Sequence, residues 1–398
     1  MERLKLFYIV SRFPFPLEKG DKLRAYHQIK ELSNACDVYL CALSDEKVSN
    51  AQVKALEPFC KEVIILRLTW FSIVTNLIKY LFFTSKPMQV GYFYHRKNIQ
   101  KVERAIERIR PDHIFCQLIR TSEYVRNINH IPKTLDYMDA LSAGMERRIE
   151  NASALWRWLI RMESKRLKRY EHSIYKKFDF AAVISASDRN LIFHYDNQDI
   201  VILPNGIDKT YFVPQEHEKN FELLFTGNMS YPPNVQSAIY LVQKIMPLVW
   251  NERPDCRLLI SGANPVSSVK NLANDLVTIR PWIDDIRTSY AESSLFIAPM
   301  LIGSGMQNKL LEAMSMKMPC ITSELANRAL GAASGEAILI GRNEREYADY
   351  ILELMKNPSK ANDVAEKGHS FVTQSFDWSK SNEQILKLIL EKNARIEK

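Results

Sequence analysis

Short apolar runs rich in branched side chains recur along this chain, each separated from the next by a stretch long enough for a helix. In the first half they are LFYIV (6–10), DVYLCAL (37–43), EVIILRL (62–68), HIFCQLI (113–119), AAVISA (181–186) and DIVILP (199–204). The pattern restarts with ELLFTG (222–227), RLLISG (257–262), LVTIRP (276–281), SLFIAPM (294–300), PCITS (319–323) and AILI (337–340). Strands that alternate with helical stretches build βαβ units and a parallel sheet. Two rounds predict two doubly wound α/β domains, 1–204 and 205–375, an organisation that 398 residues can support. Pro204-Asn205-Gly206 and the polar segment FVPQEHEKN (212–220) read as the link between them.

Charge divides at the same place. Residues 1–200 carry a net charge of +10 and residues 201–398 a net of −2, so the whole basic excess sits in the first half and implies different partners for the two. The six cysteines form no CxxC pair and stand near no histidine cluster, which predicts reduced, mostly buried thiols in a cytoplasmic protein with no zinc site. The run 6–10 is too short for a secretory signal and suits a first strand. Trp70 to Phe83, the longest greasy stretch, falls short of the ~20 apolar residues that a spanning helix needs.

Only 12 residues are glycine, and nine of them lie beyond residue 200. Gly227 and Gly262 end predicted strands, and Gly303 and Gly305 follow a third. Ligands of open parallel sheets bind beyond the strands' carboxyl ends, where glycine lets the backbone approach an anion and helix N-termini present free amides. The segment GSGMQNKLLEAMSMKMP (303–319) adds a helix predicted over 306–316, with amides around Gly305, Met306 and Gln307 aimed at a phosphate. Lys309 and Glu312 are three apart and share a face: a cation for a pyrophosphate and a carboxylate for a ribose diol. An exposed ion pair on an amphipathic helix would have the same spacing.

The succession LPNGID (203–208), LLFTGNMSYPPN (223–234), RLLISGANP (257–265), VTIRPWIDDI (277–286) and GSGMQNKLLEAMSMKMPCITS (303–323) resembles the nucleotide-sugar-binding domain of family 4 glycosyltransferases, retaining enzymes of GT-B fold. The loop FPFPLEKGDKLRAYHQIKELS (13–33) resembles that family's first βα loop, and SFDWSK (375–380) its closing segment, which implies that a last helix, 376–398, returns to domain one. The resemblance implies two Rossmann-like domains facing a cleft, with the second binding a UDP- or GDP-type sugar and no cofactor. Glu312 matches the second glutamate of the E-x7-E signature and takes the ribose; the first falls at Ser304, a departure shared with the branch that has a glycine-rich loop. Ser304, Gly305, Met306, Gln307 and Lys309 are then expected at the phosphates and sugar. Gly227 and Asn228 belong to GNMSYPPN, which lacks the Arg and Lys of many relatives, so Lys309, or Arg280, is left to meet the diphosphate charge. Arg280, Trp282 and Ile283 fall where the base is contacted.

Fixed amides and a cation can stabilise a leaving diphosphate without a metal, and no DxD cluster is evident. In the retaining reaction the departing phosphate can itself take the acceptor's proton. The resemblance places Gly20, Asp21 and Arg24 toward the acceptor, and Gln117 where some relatives have histidine. Asp136 and Asp139 after a predicted strand are candidates for acceptor hydroxyls, Asp139 also for catalysis, with an Asx turn or helix cap as the plainer role. His95 and His113 read as packing or surface residues. Residues 156–177 mix two tryptophans with many Lys and Arg against two Glu, which suits an anionic membrane surface, with 70–83 beside it, as well as a core-facing helix with a solvated basic face. No nucleic-acid module is present. The expectation is a metal-independent glycosyltransferase, cytoplasmic and peripheral on the membrane, acting on a sugar or polyprenyl-diphosphate-linked acceptor in cell-surface polysaccharide synthesis. A GT-B-fold sugar-nucleotide epimerase and a non-catalytic membrane or partner scaffold are the alternatives.

Overall fold

The computed structural model describes residues 3–149, 153–192, 199–281, 283–302 and 305–396. Trp282, Gly303 and Ser304 therefore lie outside the described residues. Among the described residues, thirteen strands fall into two sheets, one in each of two compact units: residues up to Pro204 with those from Trp378 onward, and Asn205–Asp377.

The first unit holds β1 (Leu4–Val10), β2 (Cys36–Ser44), β3 (Glu62–Arg67), β4 (His113–Gln117), β5 (Lys133–Met138), β6 (Phe180–Val183) and β7 (Val201–Ile202). They are all parallel, in the order β3-β2-β1-β4-β5-β6-β7. Strand β1 shows why its apolar run has no polar face. Phe7 and Ile9 enter one core, with Ile114, Cys116 and Leu135, while Leu6, Tyr8 and Val10 enter the other, with Phe115, Ile29 and Leu32. The helix Trp378–Ile396 completes the second core with Ile385 and Ile389, and its Trp378 ring stacks on His27 at 5.1 Å. Strand β5 adds a member that the apolar runs do not include.

The second unit holds β8 (Phe221–Thr226), β9 (Leu258–Ser261), β10 (Val277–Arg280), β11 (Ser293–Ala298), β12 (Cys320–Thr322) and β13 (Leu339–Ile340). Its parallel order is β10-β9-β8-β11-β12-β13. The segment 212–220 is part of this unit rather than a free linker: Phe212 packs on its core and accepts from Ser315 Oγ at 2.7 Å, and Lys219 donates to Ala291 and Ser293 carbonyls.

Both sheets reverse strand order once, between β1 and β4 and between β8 and β11. There the following connections leave to opposite faces and open a crevice at the carboxyl edge. All six cysteines are free thiols, five of them buried and Cys60 half-buried. Among the described residues no helix is long and apolar enough to cross a membrane.

Candidate active site

At the crevice of the second sheet, β8 ends in Thr226 and Gly227, while the loop after β11 leads into the helix Asn308–Ser315. Met306 and Gln307 precede that helix rather than opening it. Gln307 is its N-cap; its side chain makes no capping hydrogen bond and donates instead to the Gly305 carbonyl at 2.9 Å, so no side chain caps the first turn, although the Leu310 amide turns back to the Gln307 carbonyl at 2.9 Å.

Lys309 turns inward from this helix to the end of β8. Its Nζ donates to Asn234 Oδ1 at 2.5 Å and sits 4.6 Å from the centre of the Phe225 ring. A Cβ on Gly227 would come within 3.0 Å of that amine, so the bare glycine is what admits it. Asn234 is held in turn by donating to the Asn228 carbonyl at 2.9 Å, and the Asn228 side chain accepts from Ser230. Burial pulls the Lys309 pKa down to about 7, against the opposing pull of Glu312. A buried lysine that is hard to charge on its own gains most from an arriving dianion.

Glu312 points to a different partner. The Tyr290 hydroxyl donates to its Oε2 at 2.7 Å and lies 3.0 Å from Thr226 Oγ1, which ties the carboxylate to the same strand end. Burial raises its pKa, while the Tyr290 hydrogen bond and Lys309 oppose the rise. Lys309 and Glu312 thus form no exposed pair of the kind their spacing also allows; each is positioned separately, by Asn234 and by Tyr290. Neither positioning residue was among the sequence candidates. Asn234 follows the Pro-Pro of a segment that the sequence marks, but Tyr290 carries no motif signal.

Arg280 stands at the carboxyl end of β10, but its side chain is already engaged. Its guanidinium donates to Glu292 at 2.9 Å and lies 5.7 Å from the Phe221 ring, next to the residues that begin β11 and β8. The charge expected to face a phosphate is instead met by Glu292 within the unit, with Ser289 Oγ 3.4 Å from the same guanidinium. Ile283, half-buried, follows β10, and nearby Asp285 pairs with Arg287, whose guanidinium covers the Tyr211 ring at 4.0 Å.

The crevice of the first sheet gathers groups from four strand ends. After β1, Arg12 pairs with Asp21 at 2.7 Å, and Gln117 at the end of β4 donates to the Asp21 carbonyl at 3.1 Å. Leu118 and Met138, at the ends of neighbouring strands, both take left-handed φ angles of 63° and 61°, a strain that marks this edge. Beyond them, Arg120 donates to Gln89 at 2.9 Å and lies over Phe93, while Asp139 has a buried Oδ1 with no hydrogen-bond partner. Burial and the neighbouring Asp188 push the Asp139 carboxyl well above the usual carboxylate range. Arg120 and Asp188, the latter bound to Ser185 Oγ at 2.5 Å, are further members that the motifs did not name, although Ser185-x-x-Asp188 has helix-cap spacing.

Two acceptor-side expectations need correction. Asp136 does not follow a strand; it lies within β5, and both it and Arg24 are fully buried, joined at 2.7 Å. With no exposed surface, neither presents an edge to an acceptor. Gly20 is the reverse case. It opens the helix Gly20–Leu32 with nothing within 4 Å of a Cβ placed on it, so Gly20→Ala is expected to leave the melting temperature unchanged within about 1 °C. Calorimetry checks this, and a loss of turnover in that folded variant would come from ligand contact. His113 is buried against Thr134 at 2.9 Å and His95 precedes the helix Arg96–Ile109, which leaves both outside the crevice.

Residues 220–357, most of the second unit, match the family model for glycosyl transferases group 1. The fold is shared with sucrose-phosphate synthase from Thermosynechococcus elongatus (TM-score 0.72, 14% identity, 99% of this chain and 100% of that one). It is also shared with HepE from Anabaena, solved with UDP and glucose (TM-score 0.69, 15% identity, 97% and 99%), and with TarM (TM-score 0.69, 12% identity, 97% and 98%). A relative 26% identical over 415 residues, covering 96% of this chain and 99% of its own length, is an uncharacterized 44.6 kDa protein in the cps region of Klebsiella pneumoniae. The two parallel-sheet units are those of the GT-B fold, and the group 1 match over residues 220–357 indicates a glycosyltransferase.

Proposed function

We propose that this enzyme is a retaining transferase of family 4 type that moves a sugar from a nucleoside-diphosphate sugar, of UDP or GDP type, to a sugar acceptor carried on a lipid diphosphate, in cell-surface polysaccharide synthesis. The observation that carries the donor half is Lys309, a buried amine at the end of β8, beside an uncapped helix start and 2.5 Å from its positioning Asn234. A fixed cation with fixed amides lowers the barrier to diphosphate departure because neither must reorganise as charge develops. In this reading Glu312, steadied by Tyr290, takes the ribose hydroxyls, and no metal or other cofactor is used. The solved relatives bound to UDP, and TarM bound to UDP with alpha-GlcNAc-glycerol, support a nucleotide-sugar donor and a sugar-bearing acceptor. The cps-region relative supports a polysaccharide product.

On the acceptor side, the Asp139 carboxylate, with one unpartnered oxygen and Arg120 as a charged neighbour, would accept from a sugar hydroxyl. Work at the cytoplasmic face of a membrane would bring the enzyme to a lipid-borne acceptor.

A melting screen against UDP, GDP, ADP and their sugars identifies the donor, since a ligand at 100 times its Kd stabilises by about 2.7 kcal/mol. Glu312→Ala is expected to cut turnover of the identified donor at least ~10-fold, about 1.4 kcal/mol of barrier, and Tyr290→Phe to cut it less. Wild-type turnover in Glu312→Ala removes the ribose role. Product NMR that shows an inverted anomeric centre removes the retaining assignment.

A further inference from the structure

The first unit displays large apolar side chains to solvent on two helices. Trp70 (77% exposed), Phe71, Ile78, Phe82 and Phe83 (79%) belong to the helix Trp70–Phe82 and its C-cap, and Trp156 and Trp158 to the start of the helix Ala154–Tyr175. The first helix is apolar outside one stripe of Ser72, Thr75, Asn76 and Lys79, yet only Ile73 and Tyr80 of its 13 residues are buried. An apolar face this wide normally packs against a core or lies in lipid. Consecutive exposure at Trp70-Phe71, Phe82-Phe83 and Trp156-Arg157-Trp158 shows that these ends project, because neighbouring helical positions point 100° apart.

The two helices are fastened together. Arg166 donates to the carbonyls of Tyr80 and Leu81, at 2.5 and 3.1 Å, at the end of the first helix. Trp158 lies eight residues from that clasp, ~12 Å at helical rise, so the aromatic ends flank a short common span.

The charge on this surface has one sign. The second helix contains two carboxylates, Glu163 and Glu171, and both turn inward: Glu163 accepts from the amides of Met88 and Gln89, and Glu171 from Ser142. Residues 70–86 contain none. Outward, Lys79, Arg161, Lys165 and Arg169 are exposed. Aromatic side chains that project beside lysines and arginines, with both carboxylates of the two helices withdrawn, match the two layers of a lipid surface: acyl boundary for the rings, anionic headgroups for the cations.

We infer that the helices Trp70–Phe82 and Ala154–Tyr175 form one docking surface for a bilayer of anionic phospholipid, which the first helix enters parallel to the membrane plane through Trp70, Phe71, Phe82 and Phe83. At 13 residues that helix is too short to span, and lying at the interface is the arrangement left to it. The inference extends the membrane-side location proposed above but does not depend on which sugar is transferred.

The test uses the full chain and vesicles of phosphatidylglycerol and phosphatidylcholine, with pure phosphatidylcholine as the neutral control. Flotation in 50 mM salt is expected to recover the protein with the anionic vesicles, with at least 10-fold weaker partitioning on neutral vesicles or at 500 mM salt. Phe71→Ser/Phe83→Ser is expected to lower partitioning at least 10-fold, and Arg161→Glu/Lys165→Glu to do the same on anionic vesicles, with melting temperature and turnover of a soluble donor unchanged in both. Absence of flotation in 50 mM salt, or equal flotation of the variants, overturns the inference. So does a wild-type dimer in solution that Phe71→Ser/Phe83→Ser splits, since the surface would then be a contact between copies. Unchanged donor turnover in the same variants separates this outcome from a failure of the transferase reading.

Discussion

Lys309→Met is expected to abolish measurable donor turnover, a loss of at least ~100-fold, while raising the melting temperature of the enzyme at neutral pH. The two effects share one cause. The amine is buried beside Phe225 and Met300 with a neutral partner, Asn234, so charging it there is costly and its pKa falls from the ordinary lysine value to about 7. Between pH 7 and the ordinary value near 10.5, the unfolded chain binds a proton that the folded chain does not. Stability contributed by this residue therefore rises with pH across that window, and below pH 7 the full cost of a buried charge is present. Methionine removes the cost, worth about 1–3 kcal/mol at pH 7 by analogy with other buried charges replaced by apolar residues.

A diphosphate reverses the balance. It pulls the Lys309 pKa upward, so donor binding takes up a proton once the pH exceeds about 7. Donor affinity in the wild type is expected to be level below pH 7 and to weaken toward tenfold per unit above it, whereas Lys309→Met shows a weak and level affinity throughout. Calorimetric titration in buffers of different ionisation enthalpy reads the proton directly. A flat wild-type profile from pH 6 to 9 would show that the amine does not meet the donor's charge.

Much of the fold was legible because central strands are apolar on both faces, and β1, with Phe7 and Ile9 in one core and Leu6, Tyr8 and Val10 in the other, shows why such runs stand out. Strand β5 escaped for the complementary reason. Asp136 interrupts its apolar pattern, and what makes a charge tolerable there is Arg24, 112 residues earlier in the chain, which no local window contains. The donor site was partly legible in the same sense. Glycines at strand ends and a Lys–Glu pair on one helix were visible in the chain, but the partners that orient them, Asn234 and Tyr290, come from other connections. Arg280 misled because a cation at a strand end looks available until Glu292 is seen to hold it. The basic helix was ambiguous between core and surface for a physical reason: it is both, with Glu163 and Glu171 inside and Trp156 and Trp158 outside.

Gly262→Ala is expected to be the most damaging single methyl group in the second unit. Strands β8 and β9 are neighbours, and Gly262 follows β9 as Gly227 follows β8. A Cβ on Gly262 would stand 1.9 Å from the Gly227 carbonyl oxygen and 2.8 Å from its carbonyl carbon, and the residue's φ of +148° is one that side-chain-bearing residues rarely adopt. Both obstacles are backbone, so no rotamer change relieves them; the two strand ends must separate. The cost is expected to exceed about 3 kcal/mol. For a unit of this size that lowers the melting temperature by roughly 6–12 °C at 2–4 °C per kcal/mol. Because the displaced carbonyl belongs to Gly227, against which the Lys309 amine sits, protein that still folds should also bind the donor at least ~10-fold more weakly. Calorimetry and titration on the same sample check both, and a fall of less than 2 °C would mean that the two loops do not touch as closely as described.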